Sequence, residues 1–392
     1  RLPRAAAVLM ADTSDLRPAN EAELCEAIAQ AASAGERLAI RGGASKAGVG
    51  RPTPDARTLD LRGFSGVIDY DPPELVLTLR PGTPLAEVRA LVASENQMLA
   101  FEPFDHGPIF DQPEGAATIG GVVAAGVSGS QRLSMGAARD HLLGLRAVSG
   151  RAEAFVAGGK VVKNVTGYDL CKLVTGSWGR LVALTELTLK VLPAPRTTAT
   201  RLLTGLDPAR ATAAMAQAMG SQADVACAAH LPGPEPVTAF RIQGFSASVA
   251  ARCEALAHTL SAFGPLHDPG AEGEILWASM RTLSPLPIEA PLWRINVAPS
   301  RGAVVATTLE RAGAAWLMDW AGGLVWAAFD GEAATVRAAA GQAGGHAQLI
   351  RGPEALRLGA PALHPLAPAA QALEARVRRA FDPAGVFETG RF

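Results

Sequence analysis

Two glycine-bearing turns carry the clearest chemistry in this chain: Arg41-Gly42-Gly43-Ala44-Ser45-Lys46 and Thr118-Ile119-Gly120-Gly121. Glycine lets a backbone approach a ligand closely and adopt positive φ. Short runs of exposed N–H groups in such turns make anion-binding nests, and N–H groups where a helix starts favour phosphate. A third turn, Pro81-Gly82-Thr83, also follows a predicted strand. Corners this far apart in sequence suggest one long ligand with phosphates in its middle. The first turn is neither a Rossmann G-x-G-x-x-G nor a Walker G-x-x-x-x-G-K-[ST], and alone it reads more readily as a plain structural turn. The five lysines, Lys46, Lys160, Lys163, Lys172 and Lys190, all lie in the first half. Either that half handles a polyanion or the chain simply prefers arginine.

Other reactive residues are sparse. Cys25, Cys171, Cys227 and Cys253 are widely separated, with no C-x-x-C and no zinc or iron–sulfur spacing, so no metal site is expected. Such cysteines fit a reducing cytoplasm, and no secretory signal is visible in residues 1–11. With 36 basic and 37 acidic residues the net charge is −1, which argues against binding nucleic acid by bulk charge. Arg294 and Arg351 could clamp a carboxylate bidentately, or each could sit in a strand salt bridge. His346 and His364 are isolated, and His106 could line a cofactor edge or cap a turn. Residues 312–329 have a membrane-like length, but Ala321-Gly322-Gly323 interrupts them, which favours a buried β-hairpin over a span.

The elements that must position these residues read as follows. Asn20 with Glu23 starts a helix that Gly35 ends. Strands are expected at 38–40, 75–79, 142–148 and 181–192, with Pro84 at the first position of a helix. A hairpin of 153–157 and 160–163 turns at Gly158-Gly159. After Pro193 and Pro195 the rhythm changes: strand 198–204, helix 207–219, strands 225–231 and 237–243, helix 246–262. A similar series follows, with strand 292–297, helix 300–311, strands 314–319 and 323–329, helix 331–343 and strand 345–350. Each series reads as a split β-α-β unit on an antiparallel sheet. A last helix spans 367–381. With 48% hydrophobic residues, 392 residues suffice for two or three domains.

In order, R-G-G-x-S-K, P-G-T-P-L, T-I-G-G, G-A-x-R-D and G-Y-D…L-T-E-L-T-L-K resemble the FAD-binding domain of the vanillyl-alcohol-oxidase/para-cresol-methylhydroxylase (PCMH) superfamily. KVVKNVTG (160–167), LWRIN, GGHAQLIR and the C-terminal F-D-P-x-G-V-F further resemble the FAD-binding subunits of bacterial glycolate oxidases. The resemblance implies an α+β protein. Residues 1–195 would be a PCMH-type FAD-binding domain, 196–350 an α+β cap with an antiparallel sheet, and 351–392 a segment returning to the FAD domain. It implies non-covalent FAD wrapped at its pyrophosphate by Arg41, Gly42, Gly43, Ala44, Ser45 and Lys46, flanked by Gly82 and Thr83. Thr118, Ile119, Gly120, Gly121, Ser128 and Gly129 would run beside pyrophosphate and flavin. Gly136, Arg139 and Asp140 would turn near the cofactor, and Gly179 and Val182 would approach the adenine. Arg139-Asp140 reads equally as a local ion pair. The tail F-E-T-G-R-F departs from the family's N-P-G-R.

The implied activity is oxidation of glycolate, a small 2-hydroxy acid, to glyoxylate, with hydride leaving Cα for the flavin. Electrons would pass to an iron–sulfur subunit of a complex that also holds a second, catalytic FAD subunit. No span of its own is expected, so the chain would be cytoplasmic or peripheral at the inner membrane through partners. Catalytic residues are not fixed; Arg294, His346 and Arg351 are the candidates. The alternatives are a stand-alone flavin-dependent 2-hydroxy-acid dehydrogenase and an FAD-free structural subunit.

Overall fold

The computed structural model describes residues 15–159 and 167–392. The expected hairpin arm 160–163, the rest of the 160–166 motif and the start of the chain lie outside the described residues.

Asn20 caps the first helix, Glu21–Ala34, as its pattern predicts. Its Oδ1 accepts from the Glu23 amide at 3.0 Å, and Glu23 Oε2 accepts from the Ala19 amide at 2.8 Å. Such a cap contributes about 1 kcal/mol. Strands β1 (Leu38–Arg41) and β2 (Arg57–Asp60) pair in parallel, so the chain between them must cross back, and the Arg41–Lys46 turn lies on that crossing. Next come β3 (Val67–Asp71), β4 (Val76–Leu79), the short β5 (Gln97–Met98), β6 (Leu142–Ser149), β7 (Ala154–Gly158), β8 (Val182–Lys190) and the short β9 (Leu192–Pro193). Five of them form an antiparallel sheet in the order β3-β4-β8-β6-β7. The helices Leu85–Ser94 and Ile119–Ala125 pack on it through Leu85, Val88, Ile119, Val122 and Val123, against Leu187 and Leu189. Pro84 stands just before its helix rather than first in it. Its extended ψ of 136° lets the Leu85 amide donate to Ala117 O at 2.8 Å.

The second half supplies β10 (Thr197–Thr204), β11 (Cys227–Leu231), β12 (Val237–Gly244), β13 (Leu292–Asn296), β14 (Ala315–Asp319), β15 (Leu324–Ala328) and β16 (His346–Arg351). They form one antiparallel sheet in the order β10-β12-β11-β14-β15-β13-β16. The two predicted series are its two halves, and they meet at a seam where β11 and β14 share a single registered pair, His230–Met318. Helices Pro208–Met219, Ser246–Thr259, Gly302–Arg311 and Ala333–Gln342 cover one face. The other face carries Trp320, Trp326 and Leu317, which pack with Val49 and Ile109 of the first half. That contact sets the two sheets' connecting loops against each other.

Helix Glu272–Thr282 was not foreseen. No polar side chain caps its start at Ala271, although its Trp277 is buried and donates from Nε1 to Thr200 Oγ1 at 3.1 Å. The segment of membrane-like length is the buried hairpin β14–β15. Among the described residues no helix is long and apolar enough to cross a membrane. After helix Pro368–Phe381 the tail returns to the first half. Val386 and Phe387 are buried with Leu24, Ile28 and Leu38, and the Leu38 amide donates to Val386 O at 2.7 Å. The architecture is α+β, as expected from the order of elements.

Candidate functional site

A cavity of about 400 Å³ opens in the first half where four stretches converge: Arg41–Lys46, Pro81-Gly82, Thr118–Ala125 and Trp178-Gly179. The glycines make this convergence possible before any ligand enters. A Cβ on Gly43 would lie 1.4 Å from Ala116 O, and one on Gly120 would lie 2.5 Å from Pro81 Cβ. Both turns are therefore packed backbone against backbone, an approach only glycine allows. Asp105 braces the same corner. Its carboxylate accepts from the amides of Gly107, Gly115 and Ala117 at 2.9, 2.9 and 3.0 Å. Burial alone would raise its pKa, but the three amides and Lys46 hold it below the ordinary value.

The cavity's charge is one-sided. Arg41, Lys46, Arg51 and Arg391 line it, and among the described residues no Asp or Glu does. Among the described residues none of the four has a carboxylate partner. Lys46 is 8% exposed, and its ammonium meets only Ser45 Oγ, at 3.4 Å. Burial pulls its pKa down to about 8, opposed by Asp105. A buried cation without an ion-pair partner is costly, and a bound anion relieves that cost.

A second polar cluster lies where the first half meets β14. Trp320, Ala321 and Gly322 follow β14 with φ of 51°, 53° and 98°, a strained turn. It holds the Trp320 ring so that Nε1 donates to Gly129 O at 2.9 Å. Arg132 and Arg294 both lie against that ring, 4.5 and 5.0 Å from its centroid. Arg294 also donates to Asn296 Oδ1 at 2.8 Å; burial, then the charge of Arg132, pull its pKa down to about 10. Beneath them Arg241 pairs with Glu102 at 2.5 Å, and Ser130 Oγ donates to Asp319 Oδ2 at 2.7 Å. His106 is buried and stacked on Phe104, with Nδ1 unpartnered. Burial, then Lys46, keep it neutral, with a smaller contribution from Arg294.

The expected cofactor residues divide accordingly. Arg41, Gly42, Gly43, Ala44, Ser45, Lys46, Gly82, Thr118, Gly120, Gly121, Gly179 and Val182 line the cavity. Thr83 instead clips its turn, donating from Oγ1 to Arg80 O at 2.7 Å, and Ile119 lies in the core. Ser128 Oγ accepts from the Ala138 amide at 3.0 Å. Gly136 closes a short helix, and Arg139 and Asp140 face each other at 3.9 Å with half-exposed side chains, away from the cavity. Of the catalytic candidates, Arg294 and His346 fall near one another: burial, then Arg294's charge, push the His346 imidazole's pKa below the ordinary value. Arg351 does not join them. Its guanidinium donates from Nη1 and Nη2 to the carbonyls of Ile109, Pro287 and Ala290, a structural clasp away from Arg294 and His346. Sequence reasoning missed Arg51, Trp178 and Arg391 at the cavity and Arg132 and Trp320 at the junction. Trp178 and Arg391 sit beside glycines in the stretches at 167–190 and 387–392, but nothing in those stretches marks which side chain faces the cavity.

Residues 15–158 match the family model described as an FAD binding domain. The chain is 34% identical over 379 residues to glycolate oxidase subunit GlcE of Escherichia coli K12, spanning 94% of this chain and 96% of that protein. It is 31% identical over 151 residues to glycolate oxidase subunit GlcD of Bacillus subtilis 168, spanning 38% of this chain and 30% of that protein. Its fold resembles alkyldihydroxyacetonephosphate synthase, with a TM-score of 0.65 at 14% identity over 94% of this chain and 75% of that one. The glycine corners and unpaired cations suit a dinucleotide carrying two phosphate charges. Together with end-to-end similarity to GlcE, they place this chain in the GlcE family of glycolate oxidase subunits, which are FAD-binding oxidoreductase subunits.

Proposed function

We propose that this chain is the FAD-carrying subunit of a complex that oxidises glycolate to glyoxylate and hands the electrons to an iron–sulfur partner. The observation that carries the reading is the acid-free cavity with four cations between glycine turns. Arg41, Lys46 and the turn amides would hold the pyrophosphate, while Gly179 and Val182 would face the adenine end. When bound, FAD supplies a two-electron acceptor. Similarity to the GlcD subunit over part of the chain supports a second flavin subunit of related build in the same complex. Residues 1–195 would form the FAD domain, 196–350 the cap over it and 351–392 the returning segment.

A second reading, in which this chain itself takes the acid, rests on Arg132 and Arg294. Two guanidiniums against one indole, with no carboxylate partner among the described residues, suit a small carboxylate. His106, neutral and unpartnered at Nδ1, would stand within electrostatic reach of both Lys46 and Arg294 as a proton acceptor. The test is the purified full chain, assayed for flavin content and for bleaching by glycolate under anaerobic conditions. A yellow chain that glycolate reduces only with its partners supports the first reading, and reduction of the isolated chain supports the second. A colourless chain that binds no added FAD refutes both.

A further inference from the structure

We propose that Arg391, delivered by the C-terminal tail, is a phosphate ligand of the cofactor cavity, so that tail docking and dinucleotide binding are coupled. The proposal rests on the reading of the cavity as the FAD site.

Arg391 comes from the far end of the chain, yet it lines the cavity beside Lys46. Its Nε donates to Val49 O at 2.7 Å and its Nη2 to Lys46 O at 2.5 Å. Its own carbonyl accepts from the Arg51 amide at 2.9 Å. Arg357 adds a parallel clasp, donating from Nη1 to Gly48 O at 3.2 Å and Gly50 O at 3.3 Å. A Cβ on Gly50 would sit 2.6 Å from Arg391 O, so the loop is shaped to receive the tail. Phe392 then packs on Trp178, another lining residue, with centroids 5.1 Å apart.

This geometry concentrates charge. The carbonyls fix where the guanidinium stands but carry no net charge, and among the described residues no carboxylate pairs with Arg391 or Arg357. Glu388, the acidic departure in the tail, is already engaged by Arg378. The Arg391 guanidinium thus reaches the Lys46 main chain while both side chains line one cavity, and a diphosphate bound there is the ligand that would neutralise both. Burial, then Arg357, already lower its affinity for its proton, to a pKa of about 10, which is the cost an anion would relieve.

The test uses the full chain stripped of flavin and titrated calorimetrically with FAD, ADP and adenosine. Arg391→Gln is expected to weaken FAD and ADP alike, by about tenfold or more, and to leave adenosine within about twofold. Arg391→Lys, which keeps the charge, should recover most of the loss. Unchanged ADP affinity in Arg391→Gln overturns the proposal; so does an equal loss for adenosine, which would mean a deformed pocket. If Arg391→Gln does not fold, amide exchange of residues 386–391 in the unaltered chain decides. ADP should slow that exchange, and no slowing overturns the proposal. An unaltered chain that binds no FAD defeats the cavity reading and this proposal together, whereas FAD binding indifferent to Arg391 defeats this proposal alone.

Discussion

The glycine-lined cavity and the junction under Trp320 use similar charged residues in opposite ways. The cavity is cut from main chain. Turns at 42–43, 82 and 120 approach one another through absent side chains, and its cations are left without acids. Beneath Arg132 and Arg294, which lack a carboxylate partner among the described residues, the junction is built from side chains that satisfy each other, most of them across the two halves. Gln131 donates to both oxygens of Glu102, from its amide at 3.0 Å and from Nε2 at 2.9 Å; Arg241 pairs with Glu102, Ser130 binds Asp319, and Ser134 Oγ donates to Ala226 O at 2.6 Å. A region with unmatched charge is organised for a ligand. A region with matched buried charge is organised for rigidity, and it orients the loop 128–134 that runs beside the cap.

If that contrast holds, damage to each region should show in a different measurement. The largest effect is expected at Gly43→Ala. The new methyl would lie 1.4 Å from a backbone oxygen, and no flexible side chain can yield. Flavin content after purification should fall to near zero, and stability should drop by about 3 kcal/mol or more in urea melts. A variant that keeps its flavin would show that the turn has room the structure denies it. Arg241→Met should come next, but with the opposite signature. It leaves the Glu102 carboxylate without its partner across the junction, at a cost of about 3 kcal/mol, while flavin stoichiometry stays near that of the unaltered chain.

Lys46→Met separates the regions more finely, because it should weaken cofactor binding without harming the apoprotein. Removing a buried, unpaired ammonium leaves the flavin-free chain at least as stable, while FAD affinity should fall by roughly 10- to 100-fold, the loss of one charge-assisted contact. The pH dependence carries the sign. In the flavin-free chain Lys46 loses its proton near pH 8, and a bound phosphate favours the protonated form. Binding above pH 8 must therefore take up a proton, and affinity should decline by up to about tenfold per pH unit there. Lys46→Met should be flat over the same range. A parallel decline in the variant would assign the effect to another group.

The same contrast explains what could be read from residue order. Asn20 with Glu23, the alternating 181–192 stretch and the repeated strand–helix rhythm after Pro195 are local patterns, and each appears as a helix or strand close to where it was expected. The cavity was legible because close backbone approach leaves glycine at fixed places. The junction was not. Glu102, Ser130, Arg241 and Asp319 are unremarkable in their own neighbourhoods and meet only because loops of the first half, around 102 and 130, pack on the second sheet. Arg351 shows the same limit: its sequence context shows a charge on a strand but not the three carbonyls to which it donates. Helix Glu272–Thr282 lacked a polar cap to announce it.

The smallest expected effect concerns Asp319, and it tests whether the junction is a matched network or a strained one. Its carboxylate is buried and accepts from Ser130 Oγ and the Trp320 amide, both at 2.7 Å. Burial still outweighs those two bonds and pushes its pKa up to about 6. In the unfolded chain an aspartate titrates near 4. Between those values the folded state binds more protons than the unfolded one, so this residue's contribution to stability rises as pH falls through 6 and is complete below about 4. Asp319→Asn removes the titration. The difference in melting temperature between the unaltered chain and Asp319→Asn should therefore shift in favour of the unaltered chain between pH 7 and pH 5, by about 1–2 °C. A difference independent of pH would mean that the hydrogen bonds and Arg241 hold Asp319 ionised throughout, so that the junction is matched in charge as well as in geometry.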